Sequence, residues 1–80
     1  MADLKEVNLQ WSNLEGAHLE GAQLKEANLK KVNLLAADLK GAVLLESNLK
    51  TARLKYAKYS NKTQFSHGFD PQKHGMIRVK

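Results

Sequence analysis

Residues 2–61 read ADLKE VNLQW SNLEG AHLEG AQLKE ANLKK VNLLA ADLKG AVLLE SNLKT ARLKY AKYSN, and the natural division is into fives. Leucine stands third in eleven consecutive units, at positions 4, 9, 14, 19, 24, 29, 34, 39, 44, 49 and 54, and Tyr59 continues the series. The first place in each unit is held by a small residue: Ala2, Val7, Ser12, Ala17, Ala22, Ala27, Val32, Ala37, Ala42, Ser47, Ala52 and Ala57. The residue between them is polar in most units, often Asn or Asp, so the unit is A-(D/N)-L-x-x.

A period of five fits neither ordinary element. A helix turns about 100° per residue, so steps of five scatter the leucines around its surface. A strand alternates faces, so steps of five send successive leucines to opposite sides. All the leucines meet in one core only if each pentapeptide makes one flat side and a corner. The small residue two places before each Leu then also points inward, where the interior of a narrow coil is crowded. The remaining places face out.

The outward residues indicate how many sides close one turn. Alignment at twenty residues superposes Glu6, Glu26 and Glu46, and likewise Asn8, Asn28 and Asn48. It also pairs Lys5 with Lys25, Asn13 with Asn33 and Lys30 with Lys50. Alignment at fifteen loses the glutamate column. Four sides per turn are therefore expected, giving an all-β solenoid of about three coils over residues 1–61 and a short C-terminal capping tail over 62–80. At the usual strand spacing of about 4.8 Å, the coiled body is roughly 15 Å tall.

These Leu-centred units resemble the pentapeptide-repeat family over about three-quarters of the chain. The resemblance implies a right-handed quadrilateral β-helix with sides joined by tight turns. Hexapeptide-repeat acyltransferases have period six and wider coils. The tail, TQFSHGFDPQKHGMIRV (residues 63–79), also resembles the ending of many such proteins, often cyanobacterial. The best-understood members of the family are resistance proteins that mimic DNA and bind type II topoisomerases through a long, acidic, dimeric rod. This chain is short and basic, so that role is not carried over.

The 80 residues carry 13 Lys and Arg against 8 Asp and Glu, a formal net charge of +5. The excess is uneven: from Lys50 onward there are eight basic residues and a single acidic one, Asp70. There is no cysteine, so no disulfide or thiolate zinc site is available. The opening MADLKEVNLQ is polar, no stretch approaches a membrane span, and a cytoplasmic protein without membrane contact is expected.

At the C-terminus the register breaks, because the next fivefold place after Tyr59 is Gln64 while Phe65 comes one later. Phe65 and Phe69 are expected to fold over the last coil as a lid. Asp70-Pro71 followed by Gly75 has the form of a helix cap, first residue and stop, which predicts one helical turn. Met76, Ile77 and Val79 are expected to press a last apolar segment onto the body. With the repeats beginning at Ala2, the first coil is expected to present an open edge, and weak end-to-end self-association follows from it.

Candidate contact residues lie among the outward places. Trp11 falls at a corner over Lys31 and Thr51, either as an interface anchor or flat against Lys31 in a cation–π contact. Leu35 and Leu45 are apolar where most repeats are polar, and are expected on adjacent faces as a small contact patch. Lys30, Lys31 and Lys50 share one face, and Arg53 and Lys55 lie on the next, which offers a basic surface to nucleic acid or another polyanion. The Glu6, Glu26 and Glu46 column is read as a solvated charge ladder with Lys5 and Lys25 beside it, rather than a divalent-cation strip. The column of Asn residues is expected to bond neighbouring backbone and stack as an amide ladder.

His18, His67 and His74 are too dispersed for three or four zinc ligands, and no metal or cofactor site is expected. No nucleophile–base arrangement is discernible, and Gly16, Gly21 and Gly41 fall at repeat corners rather than in a phosphate loop. The interior is expected to be filled by side chains, with no pocket. The functional expectation is a non-enzymatic structural or protein-interaction module, with another protein as partner. Polyanion binding through the basic face is the alternative.

Overall fold

The computed structural model describes residues 3–80. Ala2, the first member of the small column, and Met1 lie outside the described residues. The chain winds as a right-handed, four-sided β-helix. Parallel bridges join Asp3 to Gln23, Asn8 to Asn28, Asn13 to Asn33 and His18 to Asp38, each pair twenty residues apart. The same spacing continues downward through Gln23–Val43, Asn33–Arg53 and Asp38–Lys58. We name the walls A (residues 3–6, 23–26, 43–46), B (8–11, 28–31, 48–51), C (13–16, 33–36, 53–56) and D (18–21, 38–41, 58–61).

One hydrogen-bond unit repeats around the coil. The Leu4 and Glu6 N–H groups donate down to the carbonyls of Gln23 (2.7 Å) and Lys25 (3.0 Å). Asn28 N–H donates up to the Val7 carbonyl at 2.9 Å. At each corner the chain reverses through a four-residue turn, as where Val7 N–H donates to the Leu4 carbonyl at 3.2 Å. The last residue of the pentapeptide takes a positive φ there, at Glu6, Trp11, Glu26, Lys31, Ala36, Glu46 and Tyr56 as well as at Gly16, Gly21 and Gly41. This is the third position of a type II turn, which needs the left-handed region.

The middle of the molecule is dry. Leu24, Leu29, Leu34, Leu39 and Leu44 have no solvent exposure, and Ala22, Ala27, Ala37 and Ala42 fill the space between them. Leu4, Leu9, Leu14 and Leu19 of the first coil pack against this core but are only half-buried. Among the described residues, no backbone donor meets the carbonyls of Asn8, Asn13 or His18 on that outer edge.

The tail builds a shortened fourth coil. Strand β3 (Gln64–Phe65) pairs in parallel with β1 (Val43–Leu44), with Val43 opposite Gln64 and Leu44 opposite Phe65, twenty-one residues apart. Strand β4 (Ile77–Arg78) pairs with β2 (Lys58–Tyr59), with Lys58 opposite Ile77, nineteen apart. The slip at Phe65 is thus more than recovered before Ile77. Between these strands lies a single 3₁₀ turn, Gln72–His74, ended by Gly75 in the left-handed region at φ 77°. The Asp70 carboxylate accepts the Gln72 N–H at 3.0 Å, which satisfies one donor at the start of the turn.

Side-chain hydroxyls complete the lower edge. Lys31 N–H donates to Thr51 Oγ1 at 3.1 Å, Gly41 N–H to Thr63 Oγ1 at 3.1 Å and Glu46 N–H to Ser66 Oγ at 2.8 Å. At the remaining corner, Tyr56 N–H donates to the Gly75 carbonyl at 2.9 Å. Beneath the core, Tyr59 meets Phe65 edge-on at 5.6 Å, Phe65 stacks on Phe69 at 5.0 Å, and Phe69 stacks on His74 at 4.6 Å. Met76 is buried, but Ile77 is 44% exposed. It does not press inward as expected, because alternate residues of an extended segment face opposite ways.

Candidate interaction faces

The second residue of each repeat fixes its own wall. Asn8, Asn13, Asn28 and Asn33 each accept, through Oδ1, the N–H two residues on, at 3.0–3.1 Å. Asp3 and Asp38 do the same for Lys5 and Lys40. Asn33 Nδ2 also donates to Asn13 Oδ1 at 3.3 Å, one rung of an amide ladder on wall C. These side chains hold the backbone flat, so contact with a partner falls to the flanking places.

Trp11 is 70% exposed, the most exposed of the large apolar side chains. It stands at a corner, with a φ of 68°. Of the two readings of Trp11, the cation–π contact with Lys31 is not formed: among the described residues the cation–π contact is Lys55 Nζ, 5.2 Å from the centroid of the Tyr56 ring. Tyr56, 53% exposed, occupies the other vertical edge of wall C, two coils below Trp11. Wall C is therefore framed diagonally by two exposed aromatics, with Leu35 half-buried at its middle and Arg53 and Lys55 exposed at its foot. Nothing in the pentapeptide pattern singled out Tyr56. Its signal was an aromatic at a corner, the same signal that marked Trp11.

Leu35 and Leu45 do not form a patch. They are ten residues apart, which is two walls, so Leu35 lies on C and Leu45 on the opposite wall A. Both are half-buried rather than exposed. The fourth place of the repeat runs along the wall, where the residues twenty before and after cover much of it.

Lys30, Lys31 and Lys50 are exposed together on wall B, next to Arg53 and Lys55 on wall C. The ion pairs among the described residues, His18–Glu20 and Lys40–Asp38, involve none of these five. The ladder of wall B also loosens downward. Lys31 N–H is met by the Thr51 hydroxyl in place of the Lys50 carbonyl, and Ser47 Oγ donates to the Leu44 carbonyl at 2.7 Å. Below it, the segment 66–74 stands off the coil and leaves a cleft of about 430 Å³, lined by Ser47, Lys50, His67, Phe69, Lys73 and His74 among others. The coil interior is filled, as expected, but the cap is not flush with it.

Wall D carries a different group. His18 Nδ1 lies 3.6 Å from Glu20 Oε1, and Asp38 sits directly beneath His18 in the parallel bridge. Sequence reading compared His18 only with the other histidines, which lie in the tail. The carboxylates that meet it come from two residues and twenty residues away.

The family model for pentapeptide repeats matches residues 2–34 as eight copies. Among solved structures, the chain is similar to the pentapeptide repeat protein Rfr23 from the cyanobacterium Cyanothece 51142. That match has 40% identity and a TM-score of 0.77, and covers 79% of this chain and 43% of that one. It is also similar to HetL, a pentapeptide repeat protein involved in heterocyst differentiation regulation from the cyanobacterium Nostoc sp. strain PCC 7120. Here identity is 27% and the TM-score 0.66, with 94% of this chain and 35% of that one covered. A third, alr5209 from Nostoc PCC 7120, is 33% identical over 98% of this chain and 77% of that one, with a TM-score of 0.44. The chain thus spans less than half the length of Rfr23 and of HetL. No curated protein matches it.

Proposed function

We propose, from the premise that this chain belongs to the pentapeptide-repeat family, that it is a non-enzymatic module that binds another protein across wall C. The observation that carries this reading is the exposure of Trp11 and Tyr56 on the two edges of one rigid wall. Aromatic side chains supply large contact area with few rotatable bonds, and they anchor interfaces out of proportion to their number. Leu35 between them and Arg53 below complete a mixed apolar and cationic surface. Recognition then rests on shape and a fixed charge pattern, since the backbone is held flat by its own ladder. No helix among the described residues is long and apolar enough to cross a membrane. A cytoplasmic setting belongs to the same proposal.

A second reading is supported by the free cations. Lys30, Lys31, Lys50, Arg53 and Lys55 form one basic surface across walls B and C, and a polyanion would bind it with counterion release.

Capture from a source lysate with the tagged chain separates the two. A discrete protein retained through nuclease and moderate salt, and lost with Trp11→Ala, is the expected result. Capture that vanishes with nuclease or salt and survives Trp11→Ala overturns the protein-partner reading in favour of the polyanion one.

A further inference from the structure

We propose that His18, Glu20 and Asp38 on wall D form a surface site for a borderline divalent cation, with Zn²⁺ as the fitting class. The site follows from the winding. His18 and Glu20 flank the inward Leu19, so both project outward from one wall. The coil period then places Asp38 beneath His18 in a parallel bridge. One imidazole nitrogen and one oxygen from each carboxylate lie within 4.8 Å of one another.

Three features bear on how this group would hold a metal. First, His18 Nδ1 and Glu20 Oε1 face each other at 3.6 Å, too far for a hydrogen bond. The imidazole and the carboxylate thus stand at ion-pair rather than hydrogen-bond distance. Second, the Asp38 carboxylate is oriented from behind: Oδ1 accepts the Lys40 N–H at 3.2 Å, while Oδ2 lies 3.5 Å from Lys40 Nζ. An outer-shell hydrogen bond of this kind fixes a metal-binding carboxylate. Third, the spacing is close to what a metal demands. Zinc binds imidazole nitrogen and carboxylate oxygen at about 2.0–2.2 Å, so its ligand atoms lie at most roughly 4.4 Å apart. Side-chain rotation of the exposed His18 and Glu20 closes the difference, while the bridge holds the backbone still.

The donor set also selects the metal. Imidazole with two carboxylates suits Zn²⁺, Ni²⁺ and Cu²⁺. Calcium needs six to eight oxygens and magnesium a near-ideal oxygen octahedron, and neither gains from the imidazole. One cation already competes: Lys40 Nζ lies 3.5 Å from Asp38 Oδ2. Lys40 is partly exposed and can swing aside, so a bound metal displaces it. That competition gives the proposal a test with a gain as well as a loss.

The experiment is titration of Zn²⁺ into the tag-free full chain, read by calorimetry and by the imidazole resonances of the three histidines. One saturable site that perturbs His18 is expected, with Ca²⁺ producing no comparable change. His18→Gln and Asp38→Asn should each weaken binding roughly tenfold or more, the scale on which even outer-shell partners act. Asp38→Asn keeps the Oδ1 acceptor for Lys40 N–H, so the wall stays intact. Lys40→Met should tighten binding by removing the competing ammonium. The proposal is overturned by an isotherm unchanged in Asp38→Asn, by perturbation confined to His67 and His74, by equal affinity for Ca²⁺, or by no saturable binding.

Discussion

The hydroxyl of Thr51 accepts the backbone N–H of Lys31 at 3.1 Å, twenty residues away in sequence and one coil away in space. At most other corners that bond goes to a backbone carbonyl, as from Ala36 N–H to Lys55 at 3.0 Å. The difference traces to one side chain. Thr51 stands at a corner where its column mates Trp11 and Lys31 adopt positive φ, and Thr51 does not. A β-branched residue is strongly disfavoured in the left-handed region, so the Lys50–Thr51 peptide turns over and takes the Lys50 carbonyl out of reach. The hydroxyl replaces it. Thr51→Val should therefore lose about 1 kcal/mol of stability, the usual worth of one hydrogen bond. Thr51→Gly should lose less, because glycine lets the peptide turn back. Urea unfolding midpoints of the three chains decide it, and equal midpoints for Val and Gly would refute the peptide-reversal account.

Gly41 tests the corners directly. Its φ is 68°, and a Cβ built there meets only Gly21 atoms at 3.9 Å, so there is room for alanine. Any loss in Gly41→Ala is then conformational rather than steric. About 1 kcal/mol is expected, seen as a lower denaturant midpoint at unchanged slope. Gly41→Val should cost more, for the reason that operates at Thr51. No change in midpoint for Gly41→Val would show that the corner does not impose its φ.

The fold was legible because the core speaks in one residue type at one interval. Leu24 to Leu44 all point inward, and their period excludes helix and strand before any coordinate is seen. The glutamate and asparagine columns then gave the number of walls, since only stacking at twenty aligns Glu6 with Glu26. The candidate surface was less legible. Contacts on a solenoid join residues one coil apart, and the side-chain angle at each corner is not written in the period. Trp11 stands at its corner, yet whether its ring meets Lys31 depends on side-chain placement, which the repeat does not encode. Leu35 and Leu45 are half-buried and lie on opposite walls, and counting the walls between them requires following the coil rather than the column. His18 and Asp38 hold the second place of their repeats and Glu20 the fourth, and the three converge only when one coil is laid on the next.

Leu29 measures how far the middle coil carries the stability. It has no solvent exposure, whereas Leu9 directly above it is half-buried. Leu29→Ala should lose about 2–5 kcal/mol, in the range of buried leucine truncations, and Leu9→Ala distinctly less. Leu29→Lys places an ammonium in a dry interior with no counter-charge. For a domain whose total stability is of order 5–15 kcal/mol, cooperative unfolding should be lost. Far-UV circular dichroism of the parent chain should show β-structure with little helix. A Leu29→Lys chain that melts like the parent would be incompatible with the coiled core.

Trp11 allows binding and folding to be read apart. It is the single tryptophan of the chain and is 70% exposed, so its emission should be solvent-like in the folded state and change little on unfolding. Trp11→Ala should leave the denaturant midpoint within about 0.5 kcal/mol of the parent, as for surface changes away from caps and core. A partner that seats on wall C should shift the emission to the blue as the indole is desolvated. Tyr56→Ala should weaken the same partner, because it closes the opposite edge of the wall. Wall A offers the control: Leu45→Ala, facing away, should leave binding unchanged. Binding that fell with Leu45→Ala and ignored Tyr56→Ala would move the interface to the other side of the coil.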